Sequence, residues 1–363
     1  MISSNNKSKM RHTSVVLVLL LAMCQTAPPD ETQEETPTNS DQAMSPTRLI
    51  GSVQVLDETL TSLVAPDAQL EVLAEGFDWS EGPVWVSNGG FLLFSDVPTN
   101  RIYKWIEGSE VSVFLEPSGY TGTVERGGET GSNGLTLDSE GHLIIAQHGD
   151  RRVARLSTSV LEPQPVFETI TEQYDGKRYN SPNDLVYRSD GTLYFTDPPY
   201  GLEFRMSDPA KELNFQGVYS VSPNGTVQLL ESTMSRPNGL AFSPDESTLY
   251  VANSDPERAI WMAYDVLPDG GVSNGRVFFD ATELVEQGHP GLPDGLKVDE
   301  KGNLFATGPG GVLIISPEGV HLGTISTTQA TANCAFGGDG SLLYITADML
   351  LLRIQLLTKG AIL

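Results

Sequence analysis

From about residue 69 to the C terminus the chain is a succession of short stretches in which β-branched, aromatic and other apolar residues alternate with polar ones, separated by Gly, Asn, Asp or Ser. A two-residue period punctuated by turn formers is the pattern of antiparallel strands. The stretches recur in a fixed order. A polar phrase opens a first strand (134–138, 185–188, 240–243, 296–299). A turn such as Ser139-Glu140-Gly141 or Ser189-Asp190-Gly191 leads into a second (91–94, 142–146, 192–196, 248–252, 303–307, 341–346). A third strand (101–106, 152–156, 217–221, 259–264, 311–316, 351–356) and a fourth (112–115, 165–168, 226–230, 276–280, 321–325) complete the unit. Four strands to a unit, at a spacing of about 40 to 55 residues, is the anatomy of a propeller blade. The sixth unit ends after its third strand, whereas Leu70-Glu71-Val72-Leu73-Ala74 stands as a lone strand before the first. Set into the sixth blade, that strand leaves no open edge between the chain ends. The pattern therefore predicts an all-β, six-bladed β-propeller with four-stranded blades over 69–363, closed by an N-terminal strand in the last blade. A β-sandwich, or two separate β domains, leaves the regular four-strand unit unexplained.

The opening phrases are alike in wording. Ser181-Pro182-Asn183-Asp184-Leu185, Arg236-Pro237-Asn238-Gly239-Leu240 and Leu292-Pro293-Asp294-Gly295-Leu296 share Pro, then Asn or Asp, then a small or acidic residue, then Leu. Ser132-Asn133-Gly134-Leu135 and Ala332-Asn333-Cys334-Ala335 are looser copies, and Ser80-Glu81-Gly82-Pro83-Val84 puts a carboxylate in the slot. First strands line the channel of a propeller, so residues just before them gather at one mouth. Glu81, Asn183, Asn238 and Asp294 together make an oxygen-only donor set suited to a divalent metal, Ca²⁺ first, with Mg²⁺, Mn²⁺ or Zn²⁺ as alternatives. A proline before the donor restricts the backbone that carries it. The competing reading is a reused turn, since Asn-Gly and Asp-Gly are common turn dipeptides. Glu81 weighs against it, because Glu is a poor turn former. Asn133 and Asn333, which lack the proline, read as channel lining or structural turns.

The remaining segments place the domain. Lys7, Lys9 and Arg11 precede an apolar run over 15–23, the build of a secretion signal over 1–24 and too short to span a bilayer. Leu21-Ala22-Met23-Cys24 resembles a bacterial lipoprotein cleavage box, which implies a lipid anchor at Cys24; ordinary cleavage is the alternative, since Met before that cysteine is unusual. Residues 25–48 are rich in Pro, Thr, Gln, Glu, Ser and Asp and cannot order themselves by burial, so 25–68 reads as a flexible acidic tether ending in a short approach segment. The expected location is the periplasm, free or as a membrane-anchored lipoprotein.

Against 47 Asp and Glu the chain sets 22 Lys and Arg, a net charge of −25 that repels nucleic acid and anionic lipid and favours a soluble monomer. No Gly-x-x-x-x-Gly-Lys phosphate loop is present. The two cysteines, Cys24 and Cys334, form no disulfide framework, and Cys334 reads as a small buried hydrophobe.

Taken as a set, Glu81-Gly82-Pro83-Val84-Trp85, Asn180-Ser181-Pro182-Asn183-Asp184, Thr196-Asp197-Pro198-Pro199-Tyr200-Gly201, Arg236-Pro237-Asn238-Gly239-Leu240 and Pro293-Asp294-Gly295 resemble the gluconolactonase and regucalcin (senescence marker protein) family over essentially the whole chain from residue 69. The resemblance implies a calcium-type six-bladed propeller that hydrolyses sugar lactones or related esters. It carries metal ligation to Glu81, Asn238 and Asp294, and metal or substrate contact to Asn183. In the animal branch an arginine two residues before Asn183 helps hold the substrate; here that residue is Ser181. Asp294 is the first candidate to activate water. His148 is the alternative acid or base, since histidine titrates near neutrality. His289 is a candidate cover for the site, and Arg151 with Arg152 reads as a solvated or strand-end pair. Asn133 and Tyr200 are candidates for substrate binding, while Trp85 and Phe305 could wall the pocket or serve the core. The expected activity is metal-dependent opening of a small-molecule sugar lactone. Arylester or phosphotriester hydrolysis on the same metal, or a non-catalytic ligand-binding propeller, are the alternatives.

Overall fold

Each opening phrase does begin the innermost strand of a blade. The structure, a computed structural model, describes residues 48–361, so the predicted signal, Cys24 and most of the tether lie outside the described residues. Blade 1 runs Ser80–Val86, Phe91–Asp96, Arg101–Trp105 and Ser112–Leu115, and blade 2 runs Ser132–Leu137, Leu143–Gln147, Arg152–Leu156 and Phe167–Thr171. Blade 3 (Leu185–Tyr187, Leu193–Asp197, Gly217–Val221, Val227–Glu231) and blade 4 (Pro237–Phe242, Thr248–Asp255, Arg258–Val266, Val272–Asp280) follow the same order. Blade 5 is Leu296–Val298, Leu304–Gly308, Gly311–Ile315 and His321–Ser326. Blade 6 has only Asn333–Gly337, Leu342–Ala347 and Leu350–Gln355 from the C-terminal part of the chain, and Leu70–Glu75 supplies its fourth strand by pairing antiparallel with Leu350–Gln355. The ring is closed as the strand count predicts.

The approach segment does more than approach. Ser52–Val55 pairs with His321–Ser326 as a fifth strand on blade 5, and Leu49–Ile50 pairs with Leu70–Glu75 as a fifth strand on blade 6. A 3₁₀ turn, Glu58–Ser62, capped by Asp57 accepting from the Thr59 N–H, follows. Leu60, Leu63 and Val64 from this segment are buried with Phe305, Ile314, Leu343 and Ile354 of blades 5 and 6. The outer edges of two neighbouring blades are thereby covered by backbone pairing and anchored by apolar burial, which protects the closure where the ring is sewn together.

Apolar faces of successive blades pack on one another around the ring. Val86, Leu93, Leu135 and Ile145 join blades 1 and 2, for example, and Ala252, Trp261, Leu304 and Leu313 join blades 4 and 5. Trp85 stacks on Tyr344 with ring centroids 5.5 Å apart, and Phe305 packs edge-on to Phe336 at 5.3 Å, so both aromatics serve the core. Cys334 is buried, as expected of a small hydrophobe. The Arg151-Arg152 pair stands at a strand end, since Arg152 begins the third strand of blade 2, but Arg151 is not solvated: it is buried, with Nε donating to the Tyr179 carbonyl at 2.7 Å and Nη1 to the Ala210 carbonyl at 2.9 Å. The loop after blade 2, with its small hairpin Gln173–Tyr174 and Lys177–Arg178, supplies the Tyr179 and Arg178 carbonyls and the 198–216 loop the Ala210 carbonyl, acceptors that sequence periodicity could not reveal.

Candidate active site

The opening phrases break the β ladder where they begin it. In blades 1, 2 and 4 the register between the first and second strands shifts between Glu81 and Val84, between Ser132 and Leu135, and between Pro237 and Leu240. Such bulges re-aim a side chain and end the pairing, a device common beside active sites. In blades 3 and 5 the chain enters more gradually, the N–H of Asn183 donating to the Thr196 carbonyl at 2.8 Å and that of Asp294 to the Thr307 carbonyl at 3.0 Å.

Side chains at the end of the second strands fix the approach to these residues. Asp96 Oδ1 accepts from the N–H groups of Asp78 (3.2 Å) and Trp79 (3.0 Å), just ahead of Glu81. Asp197 accepts from Asn180 N–H at 2.8 Å and Ser181 N–H at 2.7 Å, just ahead of Asn183. Asn253 Oδ1 accepts from Arg236 N–H at 3.0 Å, just ahead of Asn238. Three blades thus repeat one arrangement, a side-chain oxygen gripping the backbone two or three residues before the site residue.

The small residue after the site position has its own reason. Gly82 adopts φ of +51°, and a Cβ there would lie 2.1 Å from the Asn133 carbonyl oxygen of the next blade. A Cβ on Gly239 would lie 2.3 Å from the Asp294 carbonyl oxygen, and one on Gly295 2.0 Å from the Asn333 side chain. Glycine here lets the backbones of neighbouring blades close around the channel. Turn formation alone does not explain it. In blade 3 the slot holds Asp184, whose buried carboxyl receives Leu185 N–H at 2.8 Å and Asn333 Nδ2 at 3.4 Å.

Glu81, Asn133, Asn183, Tyr200, Asn238 and Asp294 wall one cavity of about 440 Å³. Oδ1 of Asn133, Asn183 and Asp294 are each buried without a hydrogen-bond partner. Burial pushes the carboxyls of both Glu81 and Asp294 upward, and the negative charges of each other's neighbourhood, Asp184 and Glu129 included, add to the rise. Carboxylates crowded in this way, beside amide oxygens with nothing to accept, are short of positive charge. Among the described residues no three Asp, Glu, His or Cys side chains group as a metal site, because here two carboxylates are joined by carboxamides. The donor chemistry, all oxygen and partly unsatisfied, fits a hard divalent cation held by Glu81, Asn183, Asn238 and Asp294.

The two looser asparagines part company. Asn133 stands in the cavity wall, whereas Asn333 does not line it and spends its amide on Asp184, on the Cys334 N–H at 2.9 Å and on the Glu81 carboxyl behind the wall. His148 is fully buried outside the cavity wall, with both ring nitrogens unpartnered and Nδ1 3.7 Å from Glu129 Oε2. Burial, reinforced by nearby Arg126, pushes its imidazole down to about 3, so it stays neutral at ordinary pH. His289 is exposed. Glu129, which does line the cavity, is pushed up to about 7 by burial, with Arg205 opposing the shift.

Trp79, Glu129, Arg205, Arg236, Ser254, Gly291 and Leu292 complete the wall, beyond the residues that the sequence pattern nominates. Arg236 lies inside a strict opening phrase, which is a signal that could have found it. Glu129 and Arg205 come from irregular loops over 116–131 and 198–216, which carry no period. Arg126 ties these loops together by donating to the carbonyls of Gly149 and Gly201.

The chain is similar to known proteins along this same stretch. The SMP-30/Gluconolactonase/LRE-like region matches residues 79–348. A gluconolactonase of Zymomonas mobilis is 41% identical over 317 residues, covering 86% of this chain and 88% of its own. The pentonolactonase XacC of Haloferax volcanii is 27% identical, over 73% of this chain and 80% of its own. A solved gluconolactonase of Xanthomonas campestris superposes with a TM-score of 0.71 at 30% identity, over 86% of this chain and 99% of its own. With the propeller, its opening phrases and these likenesses all lying on one stretch, the chain belongs to the SMP-30/gluconolactonase/LRE-like family.

Proposed function

We propose that this protein is a metal-dependent lactonase that opens sugar lactones by hydrolysis. The observation that carries the reading is the pair of buried carboxylates, Glu81 and Asp294, beside amide oxygens left without partners in a cavity roomy enough for a small sugar. The activities for which the Zymomonas, Haloferax and Xanthomonas relatives are named support the reaction class.

Glu81, Asn183, Asn238 and Asp294 would hold the cation, most simply Ca²⁺ given oxygen donors alone. When bound, it would polarise the ring carbonyl and stabilise the oxyanion that develops on it. The chain's own residues do the rest. Asn133 presents an unpartnered Oδ1 to a sugar hydroxyl. The Tyr200 ring and Trp79 give the sugar ring flat walls. Asp294 Oδ1, also unpartnered, accepts the proton of the attacking water. The ester C–O bond then breaks, the ring oxygen takes up the proton that Asp294 accepted, and the product is the open-chain hydroxy acid. A neutral, buried His148 outside the wall serves as packing behind Glu129 in this scheme, which leaves Asp294 as the base.

The deciding assay compares aldonolactones, aryl esters and a phosphotriester with and without Ca²⁺, Mg²⁺, Mn²⁺ or Zn²⁺. Lactone turnover that is lost on chelation and restored by one cation is the expected result. Full activity in chelated protein sinks the metal mechanism, and turnover of none of the compounds favours a binding propeller. Export through the N-terminal signal, with Cys24 as a lipid anchor in the periplasm, is part of this proposal and is read by fractionation and fatty-acid labelling of wild type against Cys24→Ser.

A further inference from the structure

Two cations in the cavity have no counterpart in the lactonase mechanism. Arg205 and Arg236 both line it, and neither guanidinium donates a hydrogen bond or reaches a carboxylate within ion-pair distance among the described residues. That is unusual in a chain with 22 basic against 47 acidic residues. Elsewhere Arg101 pairs with Glu116, Arg155 with Glu168, Arg276 with Asp265, and Arg353 with Glu71 and Glu107. Arg258 is likewise unpaired and, like Arg205, exposed, but it lies at a hairpin and does not line the cavity, whereas Arg236 is half-buried in its wall.

Both arginines are presented by built backbone. Arg236 N–H is gripped by Asn253 Oδ1 at 3.0 Å, one residue before the Pro237-Asn238 phrase. Asp255, the carboxylate whose field reaches Arg236, is occupied by the Ser235 hydroxyl and the Glu257 N–H. The Arg205 guanidinium lies over the Tyr200 ring, 5.9 Å from its centroid, and its backbone sits at φ of +49°. A non-glycine residue enters that left-handed region only at a conformational cost, and such strain gathers at ligand clamps. Glu129 opposes Arg205 in the cavity, but no carboxylate there is in contact with either guanidinium. A planar guanidinium with its donors unspent is suited to a carboxylate or phosphate, which it can meet with two parallel hydrogen bonds.

We infer that the substrate is an anionic sugar lactone, one bearing a carboxylate or phosphate away from the reacting ester, and that Arg236, assisted by Arg205, binds that group. The inference rests on the lactonase reading for the reaction and adds the charge class of the substrate. In a cavity whose floor is acidic, the arginines also orient the molecule, keeping its anion at the rim and its carbonyl towards Glu81 and Asp294.

The test uses the full chain with a saturating divalent cation and two matched pairs. Glucono-1,4-lactone is compared with glucaro-1,4-lactone for the carboxylate, and glucono-1,5-lactone with 6-phosphoglucono-1,5-lactone for the phosphate. One anionic member is expected to exceed its neutral partner in kcat/KM by about tenfold or more, the value of a charge-assisted contact. Arg236→Ala should collapse that ratio through KM, with Arg236→Lys recovering part of it, and Arg205→Ala should have a smaller effect. Added salt should reduce the preference, since the rim is open to solvent. Neutral lactones preferred in both pairs, or a ratio unchanged in Arg236→Ala, overturns the inference while leaving the lactonase reading intact. Should no lactone be turned over by folded, cation-loaded protein, the lactonase reading fails instead. The anion site is then decided by calorimetry with glucarate and 6-phosphogluconate: binding abolished by Arg236→Ala retains it, and no binding removes it.

Discussion

Asn133 and Asn333 occupy the same slot in blades 2 and 6, both without the preceding proline, and are buried to nearly the same degree. Their chemistry differs completely. Asn133 Oδ1 faces the cavity with no partner, while the Asn333 amide is consumed by Asp184, by Cys334 N–H and by the Glu81 carboxyl. The difference lies in the neighbours. Asn333 lies against Gly295, where the missing Cβ lets its side chain press on the adjacent blade, and the Asp184 carboxyl from blade 3 reaches it across the channel. A polar slot is therefore open or closed according to what the other blades put opposite it. Blade-to-blade sequence identity alone does not make a site.

Removing an open oxygen should have the largest effect. Asp294→Ala takes away both a cation donor and the proton acceptor, and kcat/KM for lactone hydrolysis is expected to fall by at least about a hundredfold, together with loss of measurable cation affinity. Wild-type turnover in this variant would remove Asp294 from the reaction. Next comes the support beneath an open slot. Asp197→Ala leaves the buried N–H groups of Asn180 and Ser181 without acceptors, at a cost of about 1–3 kcal/mol each. Melting temperature and cation affinity should drop together, and Asp197→Asn should restore part of both. An unchanged cation affinity would mean that Asn183 is placed without this grip.

The paired variants Asn133→Ala and Asn333→Ala test the comparison itself. Asn133→Ala should lower kcat/KM by about tenfold with the melting temperature unchanged. Asn333→Ala strands Asp184 and the Cys334 N–H in the interior and should cost about 1–3 kcal/mol of stability. Its cation affinity should fall less than in Asp294→Ala, since Asn333 touches the donor set only through the Glu81 carboxyl. Reversal of the two phenotypes would mean that the open and closed slots are misassigned.

The smallest effect concerns His148. Its folded-state value is pushed down to about 3 from 6.5, so the unfolded chain takes up the proton first as the solution is acidified. The stability owed to the neutral imidazole is present above pH 6.5 and is lost as pH falls from there towards 3. Thermal melts should therefore show wild type losing ground to His148→Gln over that acidic window and running parallel to it above. A His148 ring that titrates by NMR between pH 6 and 8 would contradict the buried, neutral assignment.

Several site features are legible in the order of residues alone. Glu81, Asn183, Asn238 and Asp294 announce themselves because the phrase recurs, and recurrence in a closed ring implies convergence. Arg236 sits beside a recurring proline and is readable on the same ground. Glu129 and Arg205 are not, since each belongs to an irregular loop whose course depends on contacts such as that of Arg126 with two distant carbonyls. His148 reads as reactive because histidine usually is; its burial, which no local wording reports, makes it inert to protons near neutrality.

The propeller, its six blades and their closure follow from the chain's own wording. Strand alternation and turns are local properties, and the count of strands leaves one vacancy and one strand to fill it. Which of the six similar slots keep an oxygen free for chemistry is settled only once the chain is folded. That choice turns on partners as far apart in the chain as Asp184 and Asn333, 149 residues from one another, and on the depth at which burial shifts each charge.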